Sequence, residues 1–581
     1  MRGPLEKDTC RDVILPALRA AGWVDEQIRA EYPVEARSIR AVGGAERDYG
    51  DGRVDYVLEI VPGLPVAVVE AKRAYRNARE GLGQAIRYGQ QLDVPIAYAS
   101  NGVETIERDL AHGTERKPAE FRSPAMLWSD YCSWRGVSPD EARLLSRPFN
   151  RSKRSATGDV VHLRWYQQVA VNRVLTAVLR GDRRLLLLMA TGTGKTFTAM
   201  QIVAKLRDYH RLIDPYGTFR VLYLADRDAL VQQPIDKDFG TAFGTDPIAR
   251  VGAGQDGKAK DIVFATYQAM SGTGEESALI RTYRPDFFDL VIVDECHRGS
   301  ADENSSWRRI LEHFDSAVQL GLTATPKQDE TVDTYRYFGD PQFSYSLRQG
   351  IEDGYLAPYR VRRVVLSPDA EGWEPEPGEV DLYGQPIEQG TYGTRDFERK
   401  VRLLARTRLA CGYLARRLRE LPARMIVFCY DQEHAEQVRR DLVDQFSDWT
   451  RDDPEWVVRI TSDEEEKKRL IKDLSKPERD SPLVATTTRL LATGIDVEDL
   501  RYVVIFRPVG SQVEFKQIVG RGTRLYPDKG KTSFEIIDFV GASAHFADPD
   551  FDGFPTRTTV EVVDGGDGDD VIVVDTDTPD G

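Results

Sequence analysis

Apolar and polar positions along this chain follow two rhythms. Between residues 161 and 545, short and almost wholly apolar runs alternate with stretches of helical period: RLLLLMA, RVLYLA, DIVFATY, LVIVDE and QLGLTAT, then MIVFCY, WVVRIT, LVATT, YVVIFRP and FEIIDF. Runs that are apolar on both faces predict strands of parallel sheets covered by helices on either side. Ten such strands are too many for one compact unit. They divide near 341–360 into two lobes, 161–345 and 346–545. Ahead of them, residues 1–145 mix an amphipathic helix, a strand hairpin and another helix. The polar stretch 146–160, SRPFNRSKRSATGDV, reads as a linker, and 367–395 as a Pro/Gly/Glu-rich insertion without periodicity. Residues 546–581, ending DGGDGDDVIVVDTDTPDG, read as an acidic tail or as a linker to a further domain.

One strand breaks the pattern. PVAVVEAK, Pro65 to Lys72, is apolar until Glu70 and Lys72, two charges on one face of an otherwise buried ribbon. GRVDYVLEIVPG precedes it, joined through a tight turn, so Asp55 on one strand stands beside Glu70 and Lys72 on its hairpin partner. Two carboxylates can hold Mg²⁺ and lower the pKa of a bound water. An ammonium beside them can orient that water or stabilise charge building on a phosphodiester. The triplet alone is a weak pattern, for which a salt bridge on an edge strand is the commoner explanation. The following segment, GLGQAIRYGQQL, sets Gln84 and Tyr88 one helical turn apart on a single face. Glu6, in the first helix, is a further candidate acid, although a surface helix cap is the commoner explanation.

Composition adjusts this picture little. A chain of 581 residues, 41% hydrophobic and 30% charged, fits a multidomain globular protein. No apolar run approaches the roughly 20 residues of a membrane span, and MRGPLEKDTCRDVILPAL lacks the features of a signal peptide. Five scattered cysteines (Cys10, Cys132, Cys296, Cys411, Cys429) suggest reduced thiols and a cytoplasmic setting. The net charge of −15 speaks against a nucleic-acid partner only at first sight, because residues 547–581 carry −10 of it, leaving −5 for the rest. Basic clusters stand at Arg151–Arg154, Tyr359–Arg363 and Ala415–Arg419; each singly reads as a solvated face.

The strongest chemistry lies in the first lobe. RLLLLMATGTGKT ends a strand in a Gly-rich loop before a helix. Met189 stands where the strict phosphate-loop pattern has its first glycine. The remainder is intact: Thr191, Gly192, Thr193 and Gly194 wrap phosphates with backbone N–H groups, Lys195 reaches the β- and γ-oxygens, and Thr196 offers Mg²⁺ a hydroxyl. LVIVDECH ends a second strand in Asp294, placed for Mg²⁺, and Glu295, placed to polarise the attacking water. GLTATP adds Thr323 and Thr325 as a relay toward the second lobe. There QIVGRGTR offers Gln517, Arg521 and Arg524 on an expected helix, where a rigid cation can serve as an arginine finger.

Taken together these motifs resemble the superfamily 2 helicases and translocases of the DEAD/DEAH kind. The resemblance implies that Gln167 of LRWYQQ reads adenine and that ADRDALVQQ and ATYQAM track a nucleic-acid strand. It further implies that Thr493, Gly494 and Asp496 of ATTTRLLATGIDV couple nucleotide to DNA. Residues 1–145 resemble the PD-(D/E)xK nucleases that carry a Gln-x-x-x-Tyr helix. The order of nuclease then motor resembles the restriction (motor) subunit of type I restriction–modification enzymes. That resemblance implies an α/β chain with a nuclease domain and two RecA-like lobes. Its activity would be ATP- and Mg²⁺-dependent translocation and cleavage of double-stranded DNA, with methyltransferase and specificity subunits as partners. Such subunits usually continue into a C-terminal helical region, whereas this sequence ends in its acidic stretch. A stand-alone helicase–nuclease and a non-cutting DNA remodeller are the rival readings.

Overall fold

The computed structural model describes residues 9–34, 39–42, 45–48, 53–154, 158–251, 257–271, 279–296, 308–324, 334–366, 374–375, 386–387, 390, 404–492, 495–545, 548, 552–563 and 571–576. Two compact units result, one from 1–37, 50–189 and 194–345, the other from 38–49, 190–193 and 346–581. Among the described residues no helix is long and apolar enough to cross a membrane.

The first unit holds two sheets. Strands β1 (Ile28–Pro33), β4 (Arg53–Glu59), β5 (Pro65–Ala71), β6 (Ile96–Ser100), β7 (Thr105–Asp109) and β8 (Thr114–Arg116) lie side by side in that order; β2 (Ile39–Val42) and β3 (Ala45–Asp48) form a separate hairpin in the second unit. β5 and β6 run parallel and the other neighbours antiparallel. Helix α1 (Arg79–Gln91) makes the crossover between the parallel pair. Helix α2 (Pro124–Arg135) shows its local causes plainly: the Ser123 hydroxyl accepts from the Met126 N–H, Pro124 opens the first turn, and Gly136 closes it in the left-handed region at φ +67°.

The second sheet of this unit is wholly parallel. Its spatial order is β11 (Ile248–Arg250), β12 (Ile262–Thr266), β10 (Val221–Ala225), β13 (Leu290–Asp294), β14 (Val318–Thr323), β9 (Arg184–Met189) and β15 (Phe343–Tyr345). Parallel neighbours need crossover connections, usually helical; α3 (Trp165–Leu179) leads into β9, and α4 (Lys195–Ile213) makes the crossover from β9 to β10. Every strand expected here is present; β11 and β15, three residues each, are additions.

The stretch 146–160 corrects the expectation of a linker, because its polar groups bond to the first lobe. Asn150 and Gln201 of α4 exchange two hydrogen bonds, 2.8 and 2.9 Å. Arg147 pairs with Asp208 at 2.5 Å and Lys153 with Asp238 at 2.5 Å. Next to this strap the buried Lys205 donates to the Leu145 carbonyl at 2.8 Å, and burial pushes its pKa down to about 7. Asp93, just beyond α1 and at φ +57°, is gripped by Arg135 of α2 at 2.5 Å and by Arg173 of α3 at 2.8 and 2.9 Å. Burial alone would raise the Asp93 carboxyl, but the two guanidiniums overcome it and hold the group below its usual range. Removing one partner of so buried a pair costs about 3–5 kcal/mol.

The second unit is built on an eight-stranded sheet in the order β18 (Val457–Arg459), β19 (Val484–Thr487), β17 (Arg424–Cys429), β20 (Leu500–Phe506), β21 (Phe534–Asp538), β16 (Tyr359–Leu366), β22 (Arg557–Val563) and β23 (Val571–Thr576). All neighbours are parallel except the last pair. Apolar side chains cover both of its faces, around Ile426 and Val503 on one and around Val427 and Val504 on the other.

Here the expected acidic tail is corrected. Residues 557–563 and 571–576 extend the sheet, because the one acid within β22, Glu561, is buried and neutralised. It accepts from the Tyr413 hydroxyl at 2.7 Å and pairs with Arg362, which also reaches Glu535 at 2.7 Å. The basic clusters are partly tied down: Arg417 pairs with Glu420 and Glu535 and Lys153 with Asp238, while Arg151, Arg154 and the Arg419–Asp448 pair stay in solvent as a solvated face would.

Candidate nucleotide and nuclease sites

The register Tyr56↔Val69 of the β4–β5 hairpin carries on to set Asp55 opposite Glu70, so both carboxylates leave the sheet on one face. Asp55 Oδ2 accepts from the Ala71 N–H at 2.7 Å, which draws that carboxylate to the end of β5. Glu70 is only 3% exposed, and Lys72 Nζ donates to its Oε1 at 3.0 Å. The charges in the apolar ribbon therefore neutralise one another in part. Lys72 lies one residue past the strand, its N–H bonded to the Ser100 carbonyl of β6 at 2.8 Å. In α1, Gln84 Nε2 donates to the Tyr88 hydroxyl at 3.2 Å, one turn apart as expected. Glu6 lies outside the described residues.

Sequence reasoning missed Gly81. A Cβ at this position would stand 3.1 and 3.2 Å from Lys72 side-chain carbons and 3.3 Å from Glu70 Cγ, so a side chain there would push Lys72 and Glu70 aside by a few tenths of an ångström. Gly81→Val is expected to displace Lys72 and lower DNA cleavage by about 100-fold, as a shift near 1 Å at a reacting centre does. Gly81→Ala should cost less, while helix propensity adds up to about 1 kcal/mol of stability. Melting temperature and cleavage rate moving in opposite directions would identify a close-approach role; unchanged cleavage in the valine protein would exclude it.

At the nucleotide site, Gly192 and Gly194 take φ of +89° and +83°, turning successive amides toward one side. The Thr193 hydroxyl donates to the Ala190 carbonyl at 2.6 Å, and Thr191 belongs to the same loop. Gln167, in the first turn of α3, accepts from the Arg164 N–H at 3.0 Å, and a Cβ on Gly194 would meet its Nε2 at 2.5 Å. Lys195 Nζ donates to the Met189 carbonyl at 3.2 Å and lies 3.9 Å from Glu295. Asp294 ends β13, buried, with Oδ1 accepting from the Glu295 N–H at 3.0 Å. Burial, with the Glu295 carboxylate beside it, raises its pKa. Glu295 sits at φ +51°, a strained setting for a side chain this size.

Two further residues hold Asp294. The Tyr223 hydroxyl donates to Oδ2 at 2.6 Å and also bonds Thr196, while the Tyr267 hydroxyl donates to the Asp294 carbonyl at 2.8 Å. The signal for Tyr223 was present in RVLYLA, since a buried tyrosine needs a partner for its hydroxyl. Thr323 is buried at the end of β14; Thr325, Thr493 and Gly494 lie outside the described residues.

Arg521 and Arg524 do not share a helix face. Helix α5 (Gln512–Val519) stops before them, and the chain continues through a turn in which the Arg521 and Gly522 N–H groups donate to the Ile518 and Val519 carbonyls at 3.1 and 3.0 Å. Arg521 bonds the carbonyls of Gln517 at 3.2 Å and Ile495 at 2.5 Å. Arg524 makes a two-point pair with Asp496, 3.0 and 3.3 Å.

Among the described residues no three His, Cys, Asp or Glu side chains converge as a metal cage. Mg²⁺ does not require one. It keeps several waters and binds through one or two carboxylates plus substrate phosphate, which the oxygen donors Asp55 with Glu70 and Thr196 with Asp294 fit.

Family models match both motor lobes: one for the Type III restriction enzyme res subunit over residues 160–328, and one for the Helicase conserved C-terminal domain over 406–526. The EcoAI endonuclease subunit of a type I restriction enzyme from Escherichia coli is 39% identical over 562 residues, covering 95% of this chain and 68% of that one. This chain belongs to the endonuclease subunits of type I restriction enzymes. The EcoKI endonuclease subunit of Escherichia coli strain K12 is 28% identical over 92% of this chain, which spans 52% of that relative's length. A solved fragment from Vibrio vulnificus YJ016, described as an HsdR subunit of a type I restriction enzyme, aligns with a TM-score of 0.80 and 38% identity. It covers 97% of this chain and 99% of its own. The restriction-subunit architecture, a nuclease domain with a two-lobed helicase motor, is thus the one the sequence resemblance implied.

Proposed function

We propose that the chain hydrolyses ATP to drive double-stranded DNA past itself and cleaves that DNA when it is unmodified, in the cytoplasm, together with methyltransferase and specificity subunits. The observation that carries this reading is the Asp55–Glu70–Lys72 group, set on one sheet face within the same compact unit as the ATP-binding lysine. In ATP hydrolysis Glu295 takes a proton from the attacking water as the bond between the γ-phosphorus and its bridging oxygen breaks. Lys195 offsets the charge that develops, and Arg521 and Arg524 are the cations assigned to the second lobe. In DNA cleavage a water oxygen attacks phosphorus, one ester P–O bond breaks, and Lys72 stabilises the negative charge; Gln84 and Tyr88 steady the centre and the DNA backbone. Thr196 with Asp294, and Asp55 with Glu70, would hold Mg²⁺, which would offset phosphate charge at the first site and make a water more acidic at the second. Thr323, Thr325, Gln517, Gly494 and Asp496 carry the coupling between nucleotide and movement.

Reconstitution tests the reading. With ATP and Mg²⁺, plasmid lacking methylation should be cut only when the methyltransferase and specificity subunits of the same system are added, and methylated plasmid should survive. Cleavage by the chain alone would instead favour the stand-alone helicase–nuclease. ATP consumed with every subunit present and no cut made would favour the remodeller.

A further inference from the structure

The basic clusters conspicuous in the sequence place part of their charge in internal pairs, Arg362 and Arg417 with Glu535 and Lys153 with Asp238. A further positive run is KRAYRNAR, which starts at Lys72 itself. It carries four cations and no acid over eight residues, in a chain of net charge −15. Its backbone is fixed from below. The buried Asn101 donates to the Arg76 carbonyl at 2.7 Å and accepts from the Val103 and Glu104 N–H groups at 3.0 and 2.8 Å. Ala78 is fully buried in a small cluster with Leu82, Ala99 and Ile106. The Asn77 side chain accepts from the Arg79 N–H at 2.9 Å where α1 begins.

The side chains on this fixed turn point the other way. Tyr75 is 59% exposed, a large ring left in water three residues from Lys72. Arg73 Nη1 donates to its hydroxyl at 2.8 Å, leaving the ring faces open to a stacking partner. Arg76 and Arg79 are 57% and 63% exposed, and their pairs with Glu80 and Glu115 are of the solvent-screened kind that contributes little. A rigid turn that presents arginines and a solvated aromatic ring beside a phosphodiester-cutting centre has the chemistry of a nucleic-acid grip. The guanidiniums suit phosphates and the ring suits a sugar or base.

We propose that the turn Arg73–Arg79 is the surface by which the nuclease domain seizes DNA. Arg76 and Arg79 hold phosphates flanking the one to be cut, and Tyr75 stacks against the sugar or base next to it. The proposal rests on the nuclease reading of Asp55, Glu70 and Lys72. The test is single-turnover cleavage of unmethylated plasmid by the full chain assembled with its partner subunits, across a range of salt. Arg76→Ala/Arg79→Ala should cut at least about 10-fold more slowly, with a plot of log rate against log salt shallower by about two units, one per lost phosphate contact. Tyr75→Ala should also slow cleavage, whereas Tyr75→Phe, which keeps the ring, should restore it. ATP turnover should be unchanged in all three, and as exposed substitutions they should leave the melting temperature in place. Wild-type cleavage and salt slope in the double variant, beside an inactive Lys72→Ala control, would overturn the grip while leaving the nuclease reading intact. Full cleavage by the Lys72→Ala control would remove both.

Discussion

Lys195→Ala is expected to abolish ATP turnover and DNA cleavage together. Lys195 joins the strand end to the acidic pair, bonded to the Met189 carbonyl and 3.9 Å from Glu295. Its site is mostly shielded from water, so a positive charge there stabilises the developing phosphate charge far more than it would in bulk solvent. Losing one such preorganised group costs about 10²–10³ in rate. Cleavage fails with it because the nuclease acts on DNA that the motor delivers. The check is steady-state phosphate release in the presence of unmethylated DNA, followed by gel analysis of the plasmid. Turnover within a few-fold of wild type would remove Lys195 from the role assigned to it, whatever became of cleavage.

How much of this could be read from the sequence depends on where each residue's partner lies along the chain. The ten motor strands were legible because burial on both faces leaves an unbroken apolar run. β16 and β22 were not, because Arg362 and Glu561 interrupt their runs and are silenced by each other, 199 residues apart. Composition counted Glu561 as one more acid of a tail. The strap at 146–160 escaped for the same reason, its Asn150 bonding Gln201 in a helix not yet reached. At the candidate nuclease centre, the placing of Asp55 across from Glu70 was legible because a short hairpin fixes its own register. Gly81 could not be, because what crowds a side chain there is the close passage of α1 over Lys72. The arginines after α5 show the limit of periodic reasoning. Three residues apart implies a shared face only where the helix continues, and here it ends at Val519.

The nuclease substitutions should separate what Lys195→Ala joins. Lys72→Ala and Glu70→Ala are each expected to leave ATP turnover at the wild-type rate and to lower cleavage by at least about 10²-fold, since the proposed function assigns each a charge that acts on the phosphate or its metal. The two differ in their structural cost. Lys72→Ala strips the ammonium from a carboxylate that is only 3% exposed, and an uncompensated buried charge destabilises by several kcal/mol, so a falling melting temperature could mimic lost chemistry. Asp55→Asn avoids that confusion. The amide oxygen can still accept from the Ala71 N–H, keeping the hairpin pinned, while the negative charge a divalent ion needs is gone. An Asp55→Asn protein that melts like wild type, hydrolyses ATP like wild type and leaves plasmid intact would assign the loss to chemistry alone. If Lys72→Ala or Asp55→Asn cut unmethylated DNA at the full rate, the bond-breaking centre lies elsewhere in the chain, and the charges at the end of β5 are no more than a buried salt bridge.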